Sequence, residues 1–180
     1  MKQLRKMQTL ILIVLASLGM ARVALAQPLD KDASAALNAL YEQSPAAKAL
    51  GAKAKGILVF PVIRKAAILV GGQSGKGVMF YDGKAVAHYR ADGVLVGLEA
   101  GAQSFAYVLF FMSDKALLDL HDAKGFELGT DPNVVFVDAG AAKNISTTTT
   151  QADVYGYVFG QKGVMGGIAL QGLKITQLDR

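Results

Sequence analysis

From Gly56 onward the chain is a succession of short apolar runs rich in β-branched and aromatic residues: "ILVF", "AAILV", "VMFY", "KAVAHYR", "VLVGLEA", "SFAYVLFF", "VVFV", "DVYGYVF" and "VMGGIALQGLKI". Turn signals at Asp82-Gly83, Asp92-Gly93 and Gln161-Lys162-Gly163 part many of them, which predicts strands at hairpin spacing in a largely antiparallel sheet. Glycines recur inside these runs at Gly71, Gly72, Gly97, Gly101, Gly156, Gly166 and Gly167. They weaken a flat strand and are tolerated where a sheet coils, bulges or approaches another backbone closely, so their number predicts a curved sheet approaching a barrel. In "FAYVLFF" both alternating sets of side chains are apolar, which requires cover on both faces. In "KAVAHYR" Ala85, Ala87 and Tyr89 alternate with Lys84, His88 and Arg90, which leaves one face wet.

Helical signals frame these strands. Ala33, Ala36-Leu37 and Leu40-Tyr41 recur at three- and four-residue spacing behind Asp30 and Asp32, predicting an amphipathic helix that ends near Ser44-Pro45. "AAKALGAKAK" adds a second short helical piece. A third helix is expected where Ser113 caps, Asp114 occupies the first turn, Leu117 and Leu120 face inward and Gly125 stops it. The fold class expected is therefore α+β, with an N-terminal helix and one inserted helix. The polar segment "DAGAAKNISTTTTQAD" is the best loop candidate.

The first 26 residues belong to a different class. A basic start through Arg5-Lys6, an apolar stretch from Met7 to Leu18 and the small-x-small pattern Ala24-Leu25-Ala26 form a secretory signal cleaved after Ala26. The apolar stretch is shorter than the roughly 20 residues of a membrane span. The expectation is an exported protein, periplasmic or at the cell-envelope surface, with a single domain over residues 27–180. Four of the 19 basic side chains (Lys2, Arg5, Lys6, Arg22) and none of the 14 acidic ones lie in the signal, so the rest carries 15 against 14. The alkaline balance of the whole chain is thus no argument for nucleic acid, which is not expected as a partner. With no cysteine in the chain, stability in an oxidising compartment must come from packing alone.

The repeated "KGVM", at Lys76 to Met79 and Lys162 to Met165, poses the question of a phosphate cradle. A P-loop requires four residues between its first Gly and Gly-Lys, a Ser or Thr after the Lys, and a helix behind it. "GGQSGKGVMFY" has three residues between Gly71 and Gly75, Gly77 after Lys76, and a strand behind. Both segments read instead as strand-joining turns or strand starts. A dinucleotide fingerprint is absent as well. His88 and His121 are the only histidines and show no metal-ligand spacing, Ser104 is not in a nucleophile elbow, and the scattered carboxylates read as solvated surface. Neither an enzyme nor a cofactor is expected.

Between Glu42 and Asp82 the chain carries Lys48, Lys53, Lys55, Arg64, Lys65 and Lys76 with no acid. Lysines that keep strands and edges soluble are one reading. A surface for anionic headgroups is the other.

Three long blocks decide between them. "AKAKGILVFPVIRKAAILVGGQSGKGVMFYDG" is followed by "VGLEAGAQSFAYVLFFMSDKALLDL" and then by "VYGYVFGQKGVMGGIALQGLKI". Their order and spacing resemble the SYLF domain family from about Ala46 onward: Val59-Phe60-Pro61 with Lys65, the Gly71-Gly72…Gly75-x-Gly77 segment, Gly97 to Gly101-x-Gln103, and Gly163…Gly167…Gly172. The resemblance implies a non-catalytic module that binds membrane phospholipid, with Lys55 and Lys65 at the family's basic positions and Lys76 at the glycine segment. Some members bind actin, a partner that an exported chain would not meet. The expected function is recognition of anionic phospholipid or a membrane surface in the cell envelope, through Lys53, Lys55, Arg64, Lys65 and Lys76. The alternatives are an envelope module that binds a protein partner, and an acyl-chain carrier.

Overall fold

The computed structural model describes residues 28–122, 126–128, 134–138, 152–171 and 173–178. The expected signal, Gly125 and nearly all of the predicted polar loop lie outside the described residues. Helix α1 covers 28–43, and Ser44 then caps α2 (Pro45–Gly51) by accepting from the Ala47 N–H at 3.2 Å. Two long strands follow, β1 (Gly56–Tyr81) and β2 (Lys84–Phe111), and then α3 (Asp114–Asp122), where the Ser113 hydroxyl accepts from the Ala116 N–H. The remaining strands are β3 (Phe126–Leu128), β4 (Val134–Asp138), β5 (Val154–Gln171) and β6 (Leu173–Gln177).

The many short strands expected between Gly56 and Phe111 are in fact one long hairpin. Its turn is Asp82-Gly83, with φ of 48° and 73°, the left-handed pair that matches the twist of two-residue hairpins. β1 lies along one edge of β2 from Gly56↔Phe111 to Tyr81↔Lys84. The other edge of β2 is shared by β6, opposite Tyr89 to Asp92, and β5, opposite Leu95 to Phe111. β3 pairs with β6, and β4 pairs with β5 as the one parallel ladder among the described residues. The α+β class and the mainly antiparallel sheet are as expected. Among the described residues no ladder joins the outer strands, so the sheet is coiled but open rather than closed into a barrel.

The hairpin does not lie flat. Near Leu69, whose φ is 65°, β1 turns back, and its second limb crosses the first. A Cβ on Gly77 would stand 2.6 Å from the Phe60 ring and 2.8 Å from the Val59 carbonyl oxygen. A Cβ on Gly75 would stand 2.7 Å from the Val62 carbonyl oxygen. Glycine is required here because backbone and ring occupy the space of a side chain. Lys76-Gly77-Val78-Met79 is therefore mid-strand, and so is Lys162 to Met165 in β5: neither is a turn. Asp92-Gly93 also runs on within β2, held in register opposite Ser74 and Gln73.

Back-folding creates two cores. On one face of the first limb, Leu58, Phe60, Tyr107, Leu109 and Phe111 pack with Met79, Tyr89 and Ala91 of the second limb, Ile175 of β6, and Ala116 and Leu120 of α3. On the other face, Val59, Val108, Phe110 and Tyr157 meet Ala33, Leu40 and Ala47 of α1 and α2. The Phe110 ring is stacked with Tyr41 and edge-on to Tyr157, at 6.4 and 5.7 Å between centroids. Residues 106–111 are all buried, as the two apolar sets of "FAYVLFF" require.

Gly77→Val should lower stability by about 1–3 kcal/mol or more, because the added methyls collide with Phe60 in a packed interior. A lowered urea midpoint at unchanged slope would show it; an unchanged midpoint would mean that the limbs do not touch here. Alkali should also unfold the protein. Burial pushes the Tyr89 phenol up to about 12, with Tyr81 adding repulsion, and pushes Tyr107 higher still. Unfolded tyrosines ionise near pH 10, so the stability held by these neutral phenols is intact below pH 10 and falls as pH rises through 12. Tyr89→Phe should flatten that fall in denaturant midpoints measured from pH 9 to 12.

Candidate functional site

The β1–β2 register sets Lys76 opposite Arg90 and Ser74 opposite Asp92. Back-folding then carries Arg64 of the first limb to the same place. Arg64, Ser74, Lys76 and Arg90, with Pro61 and Val62, line a groove of about 500 Å³ whose far wall is Leu29 and Asp32 of α1. Asp92 is held within the sheet, accepting from Arg90 Nε at 2.6 Å and from the Ser74 hydroxyl at 2.7 Å. Three basic side chains thus face Asp32 and the engaged Asp92, a balance of one positive charge. Arg64 and Lys76 form no ion pair with any described residue.

The five basic residues singled out from the sequence are not one cluster. Arg64 and Lys76 come together. Lys53 and Lys55 are exposed beyond α2, and Lys55 lines a separate groove of about 570 Å³ with Lys48, Tyr41 and Phe80. Lys65 points to the opposite face from Arg64 and is buried, 7% exposed. Arg90, in contrast, carries no signal in the sequence beyond its place on a wet strand face. A straight count back from Asp82-Gly83 would set Lys76 opposite Tyr89; a register shift between Met79 and Phe80 brings Arg90 there instead.

A second feature lies at the bend. Ile68, Leu69 and Val70 of β1, Val94, Val96 and Leu98 of β2, and Val164 of β5 all face water. Ile68, Leu98 and Val164 are 80%, 78% and 84% exposed. Alternation accounts for β2: Leu95 is buried, so Val94, Val96 and Leu98 stand on the outer face, with Ala100 and Ala102 continuing it. The register sets Ala102 between Ala66 and Val164, and Ser104 between Arg64 and Lys162. An apolar belt is therefore bounded at one end by the row of Arg64, Ser104 and Lys162 and at the other by the row of Ser74, Asp92 and Lys174, with Lys76 and Arg90 two residues further on. Contiguous exposed apolar surface with a polar rim marks an interaction site.

Residues 92–180 match the family described as Ysc84, Las17-binding protein actin regulator. The chain is a member of this SYLF family over those residues. No curated protein matches the chain. The SYLF match begins at Asp92, so it takes in the β2 and β5 portions of the apolar belt and Lys162. Arg64, Lys76 and Arg90 lie before it. The SYLF family is associated with lipid binding and with actin regulation, and it is not a known enzyme family.

His88 and Ser113, two side chains with reactive chemistry, have structural partners in this SYLF member. His88 Nε2 pairs with Asp30 Oδ1 at 2.8 Å, tying α1 to β2. The Ser113 hydroxyl donates to Asp153 at 2.9 Å while capping α3. Among the described residues no three of His, Asp and Glu gather as a metal site, and no helix is long and apolar enough to cross a membrane.

Proposed function

We propose that the chain is an exported, non-catalytic module of the cell envelope that binds anionic phospholipid, with the headgroup received between Arg64, Lys76 and Arg90. The observation that carries this reading is the groove: residues 12 positions apart in β1 meet there only because the hairpin folds back. Arginine offers a planar fork to phosphate oxygens, and lysine a mobile point charge, so a phosphate diester at the mouth of the groove would gain charge-assisted hydrogen bonds from both. The cations stay hydrated at the surface, so their attraction is screened by salt. The family's association with lipid supports the class of ligand. An exported chain has no access to cytosolic actin, so we do not carry the actin role over to it.

A specific observation favours a second reading, that of an acyl-chain carrier. A groove of about 780 Å³ runs beneath α3, lined by Met79, Val86, Tyr89 and Leu117. Lipid retained in stoichiometric amount through purification, seen by native mass spectrometry, would select the carrier over the surface binder.

The double variant Arg64→Glu/Lys76→Glu should lose flotation with vesicles containing phosphatidylglycerol, while Lys53→Glu/Lys55→Glu keeps most of it. Parental binding should weaken between low and high salt. Equal loss in both variants would move the headgroup site away from the groove. Full retention in Arg64→Glu/Lys76→Glu would remove the groove from the function.

A further inference from the structure

We propose that the apolar bend of the long hairpin, formed by Ile68, Leu69 and Val70 with Val96 and Leu98, penetrates the interface of an anionic bilayer. This rests on the reading above and adds to it a depth and an orientation. The first argument is exposure: large aliphatic side chains stand in water at the bend, and neither core, with its covering helices, includes them. A chain that covers residues 106–111 on both sides leaves this surface open.

The second argument is backbone conformation. Leu69 has φ of 65°, a region that suits Gly or Asn and disfavours a bulky side chain. The bend needs that conformation, but it does not need leucine, which is 59% exposed there. A large apolar group held in a disfavoured conformation and presented to solvent points to a use outside the fold.

The third argument is charge complementarity, which selects the occupant. Both ends of the belt are net basic: Arg64 and Lys162 at one, and Lys174, Lys76 and Arg90 against Asp92 at the other. An aliphatic belt between two ends of net positive charge matches the layering of an anionic membrane surface, where acyl chains lie beneath phosphates. With the bend pointing inward, both ends sit at phosphate level and the groove faces the headgroups.

The chain contains no tryptophan, so a single Trp is a clean reporter. The experiment uses residues 27–180, which hold every residue of both cores, after circular dichroism shows cooperative unfolding. Ile68→Trp and Leu98→Trp place the reporter in the belt, and Leu118→Trp places it on the exposed side of α3. With phosphatidylglycerol vesicles the first two should shift their emission to shorter wavelength and be quenched by brominated acyl chains, while Leu118→Trp does neither. Leu98→Asp should weaken vesicle binding about tenfold or more, as expected when a group meant for the acyl region carries a charge. Flotation without shift or quenching would overturn insertion and leave headgroup binding standing. Loss of flotation in the parent would overturn both. A shift that depends on protein concentration in the absence of vesicles would overturn the proposal in favour of a second copy of the chain on this face.

Discussion

Everything in this molecule depends on how closely two limbs of one hairpin can approach. Gly75 and Gly77 let the second limb of β1 lie against Val59 to Ile63 of the first at distances no side chain would permit. That contact turns a two-stranded ribbon, which is marginal by itself, into two layers with an interior between them. Met79, Tyr89 and Ala91 can then bury against Leu58, Phe60 and Tyr107, and β6 and α3 close the same core. α1 and α2 cover the other face through Ala33, Leu40 and Ala47.

The bend has a cost and a product. Turning a pleated ribbon back leaves its apex without a packing partner, because the layers meet along the limbs and not at the fold. The apex residues remain exposed as a geometrical consequence, and polar residues would be the inexpensive choice there. Ile68, Leu69, Val70 and Leu98 are instead aliphatic. The same bend sets Arg64 beside Lys76, so the apolar belt and the basic groove arise from one deformation of one hairpin.

Several parts of this were legible in the residues. Ser44, Ser113 and Asp82-Gly83 mark their caps and turn through local hydrogen bonding and left-handed backbone, which need no knowledge of distant chain. "FAYVLFF" announces cover on both faces. The bend was not legible as a fold-back, because a glycine at Gly77 has the same letter whether it serves a turn or a close approach, and only the position of Phe60 distinguishes them. Gln161-Lys162-Gly163 misled for the same reason: Gly160 and Gly163 have φ of 64° and 97°, yet they belong to an irregular stretch of β5 where the register shifts against β2. The basic group divided because alternation sends Arg64 and Lys65 to opposite faces. A count of lysines along the chain does not contain that information.

The weighting of the two surface features follows from magnitudes. A basic side chain near an anionic membrane contributes about 1 kcal/mol, and the groove holds a balance of only one positive charge after Asp32 and Asp92 are counted. Electrostatics of that size steers a protein to a surface and orients it there, but it does not hold it. Aliphatic side chains contribute about 25 cal/mol per Å² removed from water, so two or three of them entering the acyl boundary exceed what the cations supply. Stable peripheral binding in general takes two such signals together. In this chain both features lie on the same bent hairpin, the cations at its flanks and the aliphatic belt at its apex, and Gly75 and Gly77 permit the close approach of the limbs that brings them together.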